Sequence, residues 1–410
     1  MYKAVKSDVY ITGMRISGID AAPDGFSPDR VIDGKGRLLS AGFVNAHTHA
    51  YMSVFRNFAD DLEFSDWLFG HIMPMEDKLT GEDAYWGTLL SCIEMLKTGT
   101  TSFLDMHMFP HYPAQAVMDI GIRAVMSRGL VGEGDNEGGR LRIEQTVEDI
   151  EEFKNSDRIR FMFGPHAPCS CDDKYLEICA KTARDYGVGI NIHLAESQNE
   201  IKQIRERYGC TPVELMEKTG IFENKTVAAH CVNLTDNDIA LIKKYNVSAA
   251  TNPISNMKLG NGFAPVMKLL DAGVNVCLGT DSDASNNNQN MINELNVLTL
   301  IHKGVHKDAQ ALSANTGYGI ATENGARALG LECGAIEAGK LADLAVFDIE
   351  TPWFYPRNDL IAALAYSATG SECVMTVVNG EIVMENGIVT TVDEKEVYAK
   401  CEEIINRVRG

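Results

Sequence analysis

From Ser40 onward the chain alternates short apolar or β-branched runs with longer stretches whose apolar residues recur at helical spacing. That alternation predicts parallel strands joined by right-handed helical crossovers. Eight runs stand out: AGFVNAH (41–47), TTSFLDM (101–106), IRAVMSR (122–128), IRFMFGPH (159–166), VGINIHL (188–194), TVAAHC (226–231), VSAATN (247–252) and VNVCLGTD (274–281). The helical stretches are equally legible. In DKYLEICAKTARDYG, Tyr175, Ile178, Cys179, Thr182, Ala183 and Tyr186 fall on one stripe, and Gly187 marks the stop. Eight strand–helix units predict an α/β fold closed into a (β/α)8 TIM-type barrel.

The flanks carry a different pattern. Residues 1–40 and 335–410 hold short strand-like runs, DVYITGMRI, LADLAVFDI and VMTVVNGEIVMENG, punctuated by Gly and Asn turns. They are expected to pair as one small β-sandwich domain built from the N- and C-terminal segments, leaving 41–334 to the barrel. No repeat of solenoid length is present, and the polar loop DSDASNNNQN is the one biased tract.

Composition narrows the function classes. The 410 residues are 45% hydrophobic and 23% charged, enough apolar surface for a large core and too much for a disordered chain or a disulfide scaffold. Lys and Arg number 37 against 57 Asp and Glu, and the resulting net charge of −20 repels polyphosphate, so no nucleic-acid partner is expected. The ten cysteines are scattered, and the close pair Cys169 and Cys171 lacks a zinc-knuckle spacing. Reduced, buried thiols in a cytoplasmic protein are the expectation. The first residues lack a secretion-signal pattern, and no run approaches the roughly 18 apolar residues that span a bilayer, so no membrane association is expected.

The chemistry gathers where the strands end. In order, the runs finish at His47 with His49, Asp105, Arg128, His166, His193, His230, Asn252 and Asp281. In a barrel of this type those ends converge on one face, where the active site sits. His47 and His49 are two residues apart, so on an extended strand both imidazoles point to the same side. His193 is followed by Glu196, one helical turn further on, and His230 and Asp281 end later runs. Imidazoles and a carboxylate around one face make an N/O donor set with room for a water, the open geometry of catalytic zinc and a basis for hydrolysis.

The motifs GFVNAHTH, INIHLAES, AAHCV and LGTDSDASNN, followed by GAIEAGKLADLAVFD, resemble the amidohydrolase superfamily over nearly the whole chain. The similar branch contains 5-methylthioadenosine/S-adenosylhomocysteine deaminases and triazine chlorohydrolases. The resemblance implies a mononuclear site with the ion held by His47, His49, His193 and Asp281. Binuclear members carry a bridging lysine at the end of the fourth strand. Here that strand ends in His166. The implied cofactor is one divalent ion per subunit, zinc being expected and Fe2+ accepting the same donors.

Water bound to such an ion ionises near neutral pH, and attack on an aromatic carbon bearing an amine requires protonation of the adjacent ring nitrogen. Glu196 is the candidate acid. The resemblance implies that His230 hydrogen-bonds the attacking water, and Asp281 is expected to relay a proton toward departing ammonia. It further implies a small-molecule nucleoside substrate: Trp67 covering it, Glu76 accepting from the ribose hydroxyls, His166 bonding a purine nitrogen, and Arg128 and Arg140 approaching the 5′ substituent. Arg140 is read as lying on a Gly-rich loop, GEGDNEGGRL. The segment TNPISNMKLGNG fits the family's pocket wall without an atom-level role for each Asn. His71, His107, His111, His302 and His306 receive none either, His107 being placed nearest the pocket.

The expected reaction is hydrolytic deamination of an adenosine-type nucleoside, 5′-methylthioadenosine, S-adenosylhomocysteine or adenosine, to the inosine derivative. One alternative is a deaminase or dechlorinase of another heteroaromatic ring, such as guanine, a pterin or a triazine. Another is a catalytically inactive binding scaffold, which the presence of all of His47, His49, His193, Glu196 and Asp281 disfavours. Relatives are often multimeric, and a homo-oligomer is compatible with the acidic exterior.

Overall fold

All 410 residues are described in a computed structural model. A hairpin of β1 (Val9–Thr12) and β2 (Arg15–Ile19) opens the chain, followed by β3 (Arg37–Ala41). Eight parallel strands come next: β4 (Phe43–Thr48), β5 (Thr100–His107), β6 (Arg123–Leu130), β7 (Ile159–Pro165), β8 (Gly189–Leu194), β9 (Thr226–His230), β10 (Ser248–Thr251) and β11 (Asn275–Leu278). They neighbour one another in chain order. The first and last are drawn together beyond the ladder, where the Asp281 N–H donates to the His47 carbonyl (2.9 Å) and the Thr280 N–H to Asn45 Oδ1 (3.0 Å). The eight expected runs are thus the eight strands of a nearly closed barrel.

Burial on both faces explains why the runs read as almost continuously apolar. Val44, Leu104, Val125, Met162, Val227, Ala250 and Cys277 share one buried cluster with Ala326 and Leu329 of the helix Glu323–Leu329. Alternate residues such as Phe43, Phe103, Met126, Phe163, Ile192 and Leu278 pack instead in the larger cluster beneath the surrounding helices. Gly325 lets the helix Glu323–Leu329 approach β4, since a Cβ there would lie 2.9 Å from Val44. The opposite end of the barrel is left to the polar strand ends.

The helix Asp173–Tyr186 starts at an Asp172 cap and stops at left-handed Gly187, as expected. Its buried stripe is rotated from the sequence reading. Tyr175, Leu176, Cys179, Ala180 and Ala183 are buried, whereas Tyr186 is exposed, so Leu176 and Ala180 complete the stripe in place of Ile178 and Thr182.

Both chain ends meet in one antiparallel sheet. Its order is β15 (Ile388–Val389), β14 (Glu381–Glu385), β13 (Cys373–Val378), β12 (Leu344–Asp348) and β3, with Ala41 opposite Leu344 and Arg37 opposite Asp348. Ile16 of the hairpin packs on Leu344, Val346, Met375 and Val377, completing a small sandwich. The strand-like reading of the C-terminal segment passed over the helix Glu394–Arg409. Val397, Cys401, Ile404 and Val408 form its buried stripe, and Lys97 pairs with Glu394 (2.6 Å) to fasten it to the barrel helix Gly81–Lys97. No helix is long and apolar enough to cross a membrane.

One buried ion pair ties the two sheets together. Arg123 of β6 donates to Asp343 (Nε to Oδ2, 2.6 Å) and to Asn379, flanking β12 and β13. Arg123→Leu strands the Asp343 carboxylate without its cation, and the expected cost is about 3–5 kcal/mol of stability. A urea unfolding midpoint indistinguishable from that of the unaltered protein would contradict this.

Candidate active site

Two of the imidazoles at the strand ends are aimed by a hydrogen bond on the far nitrogen. His49 Nδ1 donates to the Met106 carbonyl (2.7 Å) and His193 Nδ1 to the His166 carbonyl (2.7 Å). A carbonyl only accepts, so both rings carry the proton on Nδ1 and turn a bare Nε2 inward. Those two Nε2 atoms are 3.1 Å apart. Two lone pairs facing at that distance repel unless a cation lies against both. His47 is fully buried, with neither ring nitrogen partnered. Asp281 Oδ1 stands 3.4 Å from His49 Nε2 and 3.7 Å from His47 Nε2.

This donor set fits one divalent ion. Ligands on arms of about 2.0–2.1 Å in a tetrahedron lie roughly 3.4 Å apart, close to the separations found. Burial, with His49 adding, pushes the His47 imidazole well below its ordinary range, and burial does the same to His193. Neutral imidazole is the form that ligates. Asp281 is held in turn: Oδ2 accepts from Ser255 Oγ (2.6 Å) and Ser285 Oγ (2.9 Å), and Oδ1 from the Ser282 N–H (2.8 Å).

Two of the strands stop short of the residues expected at their ends. β11 ends at Leu278 and not at Asp281, which lies in a left-handed turn (φ +63°); β10 ends at Thr251, and Asn252 begins the next helix. His230 (φ +71°), Cys231 (φ +51°) and Ala195 (φ +53°) share that conformation. Such residues cost about 1–3 kcal/mol each, and here they turn side chains that an extended strand would direct elsewhere.

Glu196 and His230 stand beside the cluster. Glu196 Oε2 is 3.8 Å from His230 Nε2, and Oε1 accepts from Asn261 Nδ2 (3.0 Å). Glu196 is in the turn between β8 and the helix Gln198–Tyr208, not one helical turn beyond His193, because left-handed Ala195 breaks the chain direction and Ser197 caps the helix. Burial raises the Glu196 carboxyl above its ordinary pKa, with His230 opposing. His230 Nδ1 donates to Asn256 Oδ1 (2.9 Å). Burial opposes charge on His230, yet Glu196 and Asp281 outweigh it and its pKa is raised. The segment TNPISNMKLGNG therefore supplies Ser255 to Asp281, Asn256 to His230 and Asn261 to Glu196, roles the sequence reading missed. A polar run directly after a strand end was the available signal.

The remaining candidates surround this centre at varying distance. His166 follows β7, its ring 4.7 Å from that of His193 and its Nδ1 3.0 Å from Ser170 Oγ; burial lowers it to about 4. Trp67 is buried with its indole N–H unpartnered, in the segment Asp66–Ile72. Glu76 accepts from the hydroxyl of Tyr51, two residues beyond His49, so its carboxylate is tied to the turn carrying that histidine. Arg128 donates to Gln145 of the helix Glu137–Phe153, on the face of β6 opposite Ser127. Arg140 is exposed and pairs with Asp135 (3.3 Å). It occupies the first turn of that same helix and not a loop, because Asn136 caps the Gly139 N–H (2.7 Å) and the two glycines continue as helix.

Of the unassigned histidines, His107 is buried beside Arg128 across β5 and β6, neither ring nitrogen partnered, and burial lowers it to about 3. His111 pairs with Glu152 (3.0 Å) and His71 with Asp66 (3.7 Å), both exposed, while His302 and His306 lie on the helix Met291–His306.

A parallel barrel with three imidazoles and a carboxylate converging at the C-terminal ends of its strands is the architecture of a barrel hydrolase. The amidohydrolase family model matches residues 38–383, and the chain belongs to that family. It is 45% identical to a 5-methylthioadenosine/S-adenosylhomocysteine deaminase of Caldanaerobacter subterraneus subsp. tengcongensis, covering 98% of this chain and 94% of the relative. It is 40% identical to a 5′-deoxyadenosine deaminase of Methanocaldococcus jannaschii, covering 99% and 97%. Among solved structures it is similar to an adenosine deaminase from Xanthomonas campestris with bound zinc, with a TM-score of 0.94, 29% identity and coverage of 98% and 94%.

Proposed function

We propose that this protein hydrolytically deaminates adenosine-type nucleosides, replacing the ring amine by oxygen and releasing ammonia. The observation that carries the reading is the pair of inward Nε2 atoms of His49 and His193, 3.1 Å apart, with Asp281 and the buried Glu196 beside them. The named activities of the relatives support the substrate class.

His47, His49, His193 and Asp281 would hold one divalent ion, which we assign as zinc. When bound, the ion acidifies a water and so supplies the nucleophile for the amine-bearing carbon. Glu196, whose carboxyl burial shifts toward its protonated form, donates its proton to the adjacent ring nitrogen and so makes that carbon electrophilic. His230 has Nδ1 committed to Asn256, which leaves Nε2 as its one site for hydrogen-bonding the reacting water. Asp281 accepts a proton from the attacking water and passes it to the amine, the C–N bond breaks and ammonia leaves, and the water's other proton restores Glu196 to its acid form.

In this reading Trp67 covers the nucleoside, His166 bonds a purine nitrogen, and Arg128 and Arg140 serve the 5′ substituent. Glu76 accepts from the ribose diol with Tyr51 steadying it. Loss of hydrogen bonds to a charged group costs about 1.5–3 kcal/mol. Glu76→Ala is therefore expected to raise KM for adenosine roughly 10- to 100-fold while leaving KM for its 2′,3′-dideoxy analogue unchanged. Equal changes for both substrates would remove Glu76 from the diol site. The ten cysteines are all unpaired and nine are buried, which supports a reducing, cytoplasmic setting.

Ammonia release from ion-loaded protein, screened over adenosine, 5′-modified adenosines and free heteroaromatic bases, tests the whole reading. Turnover of the nucleosides is expected; turnover confined to free bases would overturn it.

A further inference from the structure

We propose that Glu200 is a positioning residue for Glu196, an inference that rests on the acid role assigned above. Left-handed Ala195 makes two successive backbone N–H groups, of Ala195 and Glu196, point into one concavity, a shape that binds anions. The acceptor is the chain's own carboxyl, which burial pushes up to about 7 while the two N–H groups oppose that rise. Glu200 Oε1 accepts from the Ala195 N–H and Oε2 from the Glu196 N–H, each at 2.9 Å, and the side chain is buried.

The arrangement departs from a pattern used three times elsewhere in this chain. At Thr80/Asp83, Thr211/Glu214 and Thr235/Asp238, a hydroxyl caps a helix and the acidic residue three positions later bonds back to that cap's own N–H. Ser197 and Glu200 have the same spacing, and Ser197 Oγ accepts from the Glu200 N–H (3.2 Å). Yet the Glu200 carboxylate reaches past Ser197 to the two residues before it. The other side of the turn is held from the His230 loop, where Asn233 Nδ2 donates to the Glu196 carbonyl (2.9 Å) and the Asn233 N–H to the Ala195 carbonyl (2.8 Å). Glu196 is thus clamped by its peptide N–H, its peptide carbonyl and, through Asn261, its carboxylate. Only a carboxylate offers acceptors to both N–H groups at once, since an amide would turn an NH2 against one of them.

A double-mutant cycle on the ion-loaded enzyme tests this. Glu200→Gln is expected to lower kcat for adenosine about 10- to 100-fold, with KM and ion content unchanged, because a small misplacement of the acid suffices for such a loss. In a Glu196→Gln background the same substitution is expected to cost nothing further. Undiminished kcat in Glu200→Gln, loss of ion content, or the same loss repeated in the Glu196→Gln background would overturn the proposal. Full activity of Glu196→Gln alone would overturn the acid assignment and this inference with it. Should Glu200→Gln fail to fold, amide hydrogen exchange in the unaltered protein decides: Ala195 and Glu196 are expected to exchange at least about 10³-fold slower than unstructured amides, and unprotected exchange at both overturns the clamp.

Discussion

Glu196→Gln in the ion-loaded protein is expected to lower kcat for adenosine by about 10²–10⁴-fold, the usual worth of a positioned general acid. Glutamine keeps the acceptor that Asn261 reaches (3.0 Å) and the volume of the side chain, so the surrounding turn is preserved. Ion content and unfolding temperature should not change. The loss should also shrink for a substrate whose ring nitrogen needs less help, such as a 6-chloropurine riboside, because electron-withdrawing chlorine makes the attacked carbon more electrophilic than an amine does. Equal losses on both substrates would reassign Glu196 to substrate binding, and a fall in ion content would make it a ligand.

Asp281→Asn is expected to abolish ammonia release and empty the ion site together. The three serine-derived bonds that hold this carboxylate show how firmly it is aimed at the imidazoles. Partners one layer behind a ligand typically cost 10- to 100-fold in affinity or activity, so loss of the carboxylate itself should exceed about 100-fold. Elemental analysis should find the ion in the unaltered protein and not in the variant. Chelated protein should regain turnover with Zn2+ or Fe2+, and the ion that restores more identifies the cofactor. A variant that keeps both its ion and its turnover would remove Asp281 from the site.

Much of this architecture is written locally. Eight strands were legible because each is buried on both faces, and runs such as INIHL and SFLDM carry that burial in their composition. The cluster was legible because its imidazoles and carboxylate fall at the ends of those runs. What local pattern does not carry is direction after a strand stops. Asp281 and His230 reach the site through left-handed backbone that neither residue type requires. The bonds that aim the site join residues distant in sequence: Asn256 to His230, and Ser255 to Asp281. Arg140 was misplaced onto a loop because paired glycines suggest one, whereas an Asn cap and the long amphipathic stretch behind them carry the helix. The helix Glu394–Arg409 was missed although Val397, Cys401, Ile404 and Val408 keep helical spacing, the strand pattern before it having taken precedence.

The strand β3 leads almost directly into β4 and its histidines, yet its partner β12 lies on the order of 300 residues downstream. During synthesis at about 5–20 residues per second, the nascent chain therefore waits roughly 15–60 s before that edge is covered. Completion of the small sheet consequently belongs to the last stage of translation, and a ribosome stalled before Leu344 would display an unpaired β3 edge that a chaperone must shield.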